Sequence, residues 1–323
     1  MPIQWYPGHM TKARRLIADS MPSQDVVIEV LDARMPRSSE NPVVTELRRH
    51  KPVIKVLSKS DLADPVLTKA WIRFFEAEVH PSPGDGLAPG KVVAIALTTT
   101  RPGEAKARLP ELCKKLALHP RGPGKTPRVM IVGIPNVGKS TLINTLMDRK
   151  VAKTGDEPAV TKGQQVVTLK SGMTISDNPG IMWPKIEDED ASLRLAFGGA
   201  IPDSAIDYET VAYWGAGYLL ERYPALVVAR YKLKSLPLTP MALLEEIGKR
   251  RGGLRAGGVV DLHKAADALI HDFRQGAIGR ISLEAPPDPD APRDSDADAP
   301  PDPDAPRDSD AGGPDADEPP ETA

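Results

Sequence analysis

The chain has 323 residues, 40% of them hydrophobic, and a formal net charge of −2. That length suffices for two modest domains and a tail, and the near-neutral total hides a segregation of charge. From Ala285 onward the chain holds 11 Asp and 2 Glu against 2 Arg, a net charge of −11, so residues 1–284 carry +9. A basic body suits a polyanionic partner such as RNA, and suits a soluble enzyme with a lysine-rich surface equally well. One cysteine, Cys113, excludes a disulfide framework within the chain and fits a reducing compartment. It sits in an apolar helical pattern and reads as a core residue. No apolar run approaches the roughly 20 residues that span a bilayer. The N-terminus also lacks the basic-then-apolar pattern of a signal peptide, so a cytoplasmic protein without a membrane partner is expected.

In chain order, residues 7–21 read as a basic amphipathic helix. An alternation follows. Apolar, β-branched runs at Val26–Leu31, Val53–Leu57, Val92–Leu97, Val129–Val132, Val166–Leu169 and Met173–Ser176 predict strands. Helical patterns at Val43–His50, Leu67–Glu78, Glu104–Leu118 and Lys139–Arg149 separate most of them. Short buried strands alternating with helices imply an α/β fold with a mainly parallel sheet covered on both faces. Pro110 predicts a kink or a late start in its helix. After Pro184 the strand pattern stops, and helices are predicted at Ala191–Phe197, Tyr208–Arg222, Met241–Arg251 and Leu262–Arg274, with basic spots at Lys249, Arg250, Arg251 and Arg255. The expected domains are 1–186, 187–284 and the tail 285–323. The tail repeats itself, Pro286–Ala299 against Pro300–Gly313. Apart from proline it has no apolar residue larger than alanine, which predicts disorder.

Gly133-Ile-Pro-Asn-Val-Gly138-Lys139-Ser140 matches the phosphate-loop pattern G-x-x-x-x-G-K-[ST] between a predicted strand and a predicted helix. Glycines let backbone N–H groups turn toward phosphate oxygens, and the helix N-terminus adds partial positive charge. This makes Asn136, Val137, Gly138, Lys139, Ser140 and Thr141 candidate nucleotide contacts. Lys139 is expected to bridge the β- and γ-phosphates and the Ser140 hydroxyl to hold Mg²⁺. Downstream, Asp177-Asn-Pro-Gly180 follows a strand as a D-x-x-G box should. Asp177 would reach Mg²⁺ through water and the Gly180 N–H would meet the γ-phosphate. Thr161 lies between the two boxes, where a switch threonine would close on Mg²⁺.

Reading guanine requires a carboxylate that accepts from the N1–H and the exocyclic amine together. No N-K-x-D follows Gly180, but upstream the strand Val53–Leu57 ends in Ser58-Lys59-Ser60-Asp61. Asp61 is the candidate base reader, with the Lys59 stem along the ring. The next strand ends in Leu97-Thr98-Thr99, the place for a loop backing the base. A metabolic ATPase or kinase and an RNA-binding module with a decayed site are the competing readings. Competition by ATP equal to GTP would favour the first, and intact Lys139, Ser140, Asp177 and Gly180 argue against the second.

The boxes run base reader, base-backing loop, phosphate loop, switch threonine, D-x-x-G. That order resembles the circularly permuted GTPases, and the chain is most similar to the bacterial YlqF/RbgA ribosome-assembly GTPase family. The likeness begins with Trp5-Tyr-Pro-Gly-His-Met-Thr-Lys-Ala and runs through Arg15. It resumes at Leu31-Asp-Ala-Arg with Pro36, and again from Ser39 to Pro42. It continues through Gly133–Asn144, Ala152–Asp156, Gln164, Gln165 and Asp177–Pro184, and past Lys249–Gly252 to Gly279 and Arg280. The resemblance implies a permuted Ras-like P-loop domain followed by an all-helical domain that contacts ribosomal RNA. It further implies GTP hydrolysis coupled to late maturation of the large (50S) ribosomal subunit, with GTP/GDP and Mg²⁺ as ligands. The expected partners are that subunit and its rRNA, with neither membrane nor DNA, and the chain is expected to be a monomer. Two departures stand out: Ser58 replaces the usual asparagine and reaches less far, and Lys162 and Gly163 follow Thr161 where small polar residues are usual.

The position after D-x-x-G that carries a water-positioning glutamine in Ras-like enzymes is Ile181 here, which cannot orient water. The family resemblance at Pro7-Gly8-His9-Met10 makes His9 the catalytic candidate, since imidazole can accept from water near neutral pH. A His that only docks the N-terminal helix or touches RNA is an equal reading. Asn136 suggests K⁺ near the β/γ-phosphates. Asp32 and Arg34 read as a salt bridge at the sheet edge or as an RNA contact. Glu187–Asp190 reads as a complement to a helix N-terminus rather than a metal site.

Overall fold

The computed structural model describes residues 5–78, 90–98, 100–120, 122–147, 165–255 and 257–288, leaving aside the side chains of His9, Pro123 and Gln165. The acidic repeats beyond Asp288 lie outside these residues. One compact unit ends at Pro286.

The sheet follows from the apolar runs. Its strands are β1 (Val26–Asp32), β2 (Val53–Ser58), β3 (Val92–Ala96), β4 (Arg128–Val132), β5 (Gln165–Thr168) and β6 (Thr174–Asp177). They lie in the order β3-β2-β1-β4-β6-β5, parallel throughout except for the antiparallel β5–β6 pair. Every residue of β1 is buried, as expected of a central strand covered on both faces. The crossovers are α2 (Pro42–Arg48), α3 (Pro65–Ala77) and α4 (Pro102–Leu116), preceded by α1 (Gly8–Ser20) and followed after β4 by α5 (Lys139–Met147). Proline opens α2 and α3, and the Asn41 and Asp64 side chains cap them by accepting from Val43 N, and from Val66 N and Leu67 N; both choices satisfy or remove orphan N–H groups. Helix α4 starts well before Pro110 and runs through it to Leu116, so the predicted late start does not occur. Ala105, Leu109, Cys113 and Leu116 bury one face of α4 on either side of the proline, and that packing outweighs one lost hydrogen bond.

The chain after β6 is helical: α6 (Glu189–Gly198), α7 (Tyr208–Arg222), α8 (Pro224–Tyr231), α9 (Pro240–Arg250) and α10 (Leu262–Arg274). Helix α10 buries Ala265, Ala266, Leu269, Ile270 and Phe273, and the Phe273 ring stacks on Phe197 with centroids 4.4 Å apart. After α10 the chain crosses back over the sheet's carboxyl edge. There Ile281 N donates to Leu62 O (2.9 Å) and Leu283 N donates to Arg34 O (2.6 Å).

Candidate active site

The neighbouring strands β1 and β4 leave the sheet's centre in opposite directions along the strand order, which opens a crevice at their carboxyl ends. The phosphate loop fills this point. Gly133 has φ 148°, and a Cβ there would lie 2.5 Å from Val30 O, so no other residue fits against β1. Asn136 and Gly138 also take positive φ, 57° and 102°. Val137 is buried, and Ser140 and Thr141 open α5, half-buried. Lys139 is nearly buried and its Nζ donates to Ile134 O at 2.7 Å. Burial pulls its pKa down to about 8, and Asp177 opposes the shift.

Asp177 ends β6. It is 1% exposed, and both carboxylate oxygens are buried without a hydrogen-bond partner. Burial pushes its pKa up to about 6, against the pull of Lys139. Two orphaned anionic oxygens at the head of a strand fit a hard divalent cation. The loop after β6 then presses on the phosphate loop: a Cβ on Gly180 would meet Pro135 Cα and N at 2.9 Å and Lys139 Nζ at 3.0 Å. Ile181 is buried in the apolar layer with Val43, Val44 and Val132, as an oily residue should be.

At the corner expected to read the base, the Ser58 Oγ lies within hydrogen-bond distance of Leu31 O and of Val137 O in the phosphate loop. The short serine therefore spans the gap from β2 to the phosphate loop, and a Cβ added to Gly138 would already lie 3.8 Å from its Cβ and Oγ. Lys59, at φ 53°, donates to Asp32 Oδ2 at 2.9 Å; burial lowers its pKa while Asp32 raises it. Asp61 and Thr98 share the wall of a cavity of about 330 Å³ with Lys69, Ile72, Arg101 and Arg280. Thr99, Thr161, Lys162 and Gly163 lie outside the described residues. His9 sits on the first turn of α1, and the next residue, Met10, is buried with its Sδ 3.4 Å from Met182 N. The α1 turn thus abuts the chain just beyond Gly180.

Several residues prove more specific than their sequence reading. Asp32 lies on a central strand, fully buried, and takes two hydrogen bonds from the Arg34 guanidinium, Nε to Oδ1 (2.9 Å) and Nη2 to Oδ2 (2.8 Å). Burial would raise the carboxyl, but Arg34 and Lys59 hold it well below the usual carboxylate range. The pair is internal, which removes the RNA reading. Arg280 donates to Ser60 O (3.1 Å) and Ala63 O (3.0 Å), fastening the loop that carries Asp61; a lone arginine 220 residues away in sequence gave no signal of this. The basic spots also divide. Arg251 reaches Asp272 at 2.6 Å beside Arg230, whereas Lys249 and Arg250 share only Glu246. Glu189 and Asp190 stand in the first turn of α6, and no acidic or His/Cys cluster suited to a metal occurs among the described residues. No described helix is long and apolar enough to cross a membrane.

Comparison with known proteins agrees with this geometry. A family model described as a 50S ribosome-binding GTPase matches residues 128–205. Ribosome biogenesis GTPase A of Bacillus licheniformis is 44% identical over 288 residues, which is 89% of this chain and all of that protein. Its namesake in Thermotoga maritima is 34% identical across 88% of this chain and 95% of its own length. Mitochondrial ribosome-associated GTPase 1 of Mus musculus is 30% identical across 87% and 90%. Among solved structures, GNP-bound YlqF from T. maritima aligns with a TM-score of 0.56 at 30% identity, covering 86% of this chain and 99% of that one.

Proposed function

We propose, from the premise that this chain belongs to the ribosome biogenesis GTPase A family and hydrolyses GTP, that it acts in late assembly of the large ribosomal subunit and that its nucleotide state gates association with the particle. The observation that carries the reading is the bond from Asn136 Nδ2 to Gly199 O, 2.9 Å. Through it the phosphate loop touches the helical part, which we assign the rRNA contact. Residues 1–186 are taken as the nucleotide domain, 187–284 as the ribosome-facing one, and the tail 285–323 as an appendage. The test is sedimentation with large subunits in a non-hydrolysable GTP analogue and in GDP. Equal co-sedimentation in both would refute gating.

In this reading Asp61 selects guanine, with Thr98 and Thr99 behind the base and the Lys59 stem along it. Ser58 steadies the phosphate loop. The N–H groups of the loop and Lys139 take the phosphates. Ser140, Asp177 and Thr161 would hold Mg²⁺, which neutralises charge between the β- and γ-phosphates. Gly180 offers its N–H to the γ-phosphate. His9 orients the attacking water, a role supported by the packing of α1 against Met182. His9→Ala should lower kcat with nucleotide affinity retained; lost affinity at unchanged kcat would refute the role. The Asn136 amide oxygen is the candidate ligand for K⁺.

A further inference from the structure

The segment from Leu31 to Pro42 carries much of the family likeness, yet beyond Arg34 the GTPase reading leaves it unused. Its last polar residue is Asn41. This side chain is fully buried and every direction around it is spoken for. Its backbone N donates to Glu29 Oε1 (3.0 Å), its Oδ1 accepts from Val43 N (3.0 Å) to cap α2, and its Nδ2 donates to Ile181 O (2.8 Å). The last bond joins positions 140 residues apart, directly after the D-x-x-G box.

That carbonyl belongs to a tethered stretch. Ile181 N faces Gly133 O at 3.4 Å, and Met182 N faces Met10 Sδ at 3.4 Å. The first is long for a bond to oxygen, and the second is an ordinary distance to a weakly accepting sulfur. The Asn41 bond is the shortest of the three, it comes from a rigidly capped residue, and a buried amide-to-carbonyl bond is costly to leave unmade. Gly180, one residue upstream, lies against Pro135 with no room for a side chain. Freedom in the loop is therefore confined to the few residues between β6 and Ile181, and Asn41 holds the downstream end.

We propose that Asn41 is a positioning residue for γ-phosphate recognition, anchoring the Ile181–Met182 peptide so that the Gly180 N–H is pre-set for GTP. The proposal rests on the reading of Asp177–Gly180 as the γ-phosphate loop. GDP has no γ-phosphate for the Gly180 N–H to meet, so loss of the anchor penalises the GTP state above all. Binding to a pre-set site spares the ordering cost that a wandering loop would impose.

The test is Asn41→Ser, which keeps an oxygen to cap α2 but is too short to reach Ile181 O. Fluorescent GDP and a non-hydrolysable GTP analogue are titrated against full-length wild type and variant, with thermal melting as the check on folding. The expected result is a loss of about ten-fold in analogue affinity, GDP affinity within about two-fold, and a fall in kcat. An unchanged ratio, or an equal loss for both nucleotides, overturns the proposal. Should Asn41→Ser fail to fold, Asn41→Thr, which also caps a helix but has no amide N–H to give Ile181 O, is titrated in its place and judged by the same two criteria. Asp177→Asn separates the underlying reading. If it leaves the Mg²⁺ dependence of analogue binding intact, the loop assignment itself fails; if it abolishes that dependence while Asn41→Ser does nothing, only the role of Asn41 falls.

Discussion

Replacing Glu29 by glutamine should stabilise the chain above pH 7 by about 3 kcal/mol and change little near pH 5. Glu29 is on β1, 1% exposed, directly opposite Lys55 of β2. The groups facing it are Glu40, Lys55, Arg48 and the Asn41 N–H. Lys55 does not pair with it: its Nζ bonds to Glu40 and sits 4.0 Å over the Phe75 ring. Burial raises the Glu40 carboxyl too, but Lys55 and Arg37 prevail and hold it low, so Glu40 keeps its charge. Glu29 is left desolvated beside that charge. Burial first and Glu40 second push its pKa from 4.5 to about 7, with Lys55, the Asn41 N–H and Arg48 opposing. A folded-state pKa above the unfolded one gives stability that is fully present below pH 4.5 and is lost as pH rises through 7. At about 1.4 kcal/mol per pKa unit, that loss is the ~3 kcal/mol stated. Glutamine has the shape of the protonated acid: its oxygen still accepts from Asn41 N and its amide can face Glu40. Thermal unfolding of wild type and Glu29→Gln between pH 5 and 9 should show curves that converge at the acid end. Above pH 7 they should separate by about 5 °C. Parallel curves would mean that Glu29 is ionised throughout and that the burial argument is wrong.

Four further outcomes follow from contacts described above. Ser58→Ala removes the hydroxyl shared between Leu31 O and Val137 O, and should weaken GDP binding about five-fold, the worth of one hydrogen bond; titration with fluorescent GDP measures it. Arg251→Ala should lower the melting temperature, because Asp272 loses one of two arginine partners. Lys249→Gln with Arg250→Gln should leave melting unchanged and reduce the salt slope of subunit binding by about one, since Glu246 already offsets part of their charge. Single-turnover hydrolysis should run faster in K⁺ than in Na⁺ if the Asn136 oxygen is a ligand, and equal rates would remove that role.

The strands were visible in sequence because each is a short apolar run with turn residues at its end, and the motif order was visible because it needs no geometry. What escaped did so for physical reasons. Only Tyr223 separates α8 from α7, and the two central valines of α8 are β-branched, so its start is hidden and its helix propensity is weak. The Ser58 substitution read as a shortened reach, yet the distance it must cross is set by Gly138 on another strand's loop. Arg251 looked like its neighbours Lys249 and Arg250 until Asp272, 21 residues on, claimed it. The placements of Asn41 and Arg280 depend on partners 140 and 217 residues away, which no local pattern encodes.

The permuted order has a mechanical consequence that these long-range bonds define. The chain passes from Gly180 into α6, runs through the helices, and returns across the loop that carries Asp61, the proposed base reader. Going out, it is tied to the phosphate loop by Asn136 and Gly199. Coming back, Arg34 donates from the sheet to Phe273 O at 3.3 Å with its guanidinium 4.7 Å over the Phe273 ring. Arg280 then grips Ser60 O and Ala63 O, Asp64 N donates to Ser282 Oγ (3.1 Å), and Ser38 bonds to the Glu284 carboxylate. Both ends of the helical segment are therefore fastened to nucleotide-facing loops, one on the phosphate side and one on the base side. A free hinge at the exit from Gly180 would leave the base side untouched, and these contacts forbid it. Any nucleotide-driven movement of α6–α10 must either carry the Ser60–Asp64 loop along or break the bonds made by Arg34 and Arg280. If Asp61 reads guanine as proposed, then by reciprocity a partner that seizes the helices acts on guanine binding as well as on the γ-phosphate loop.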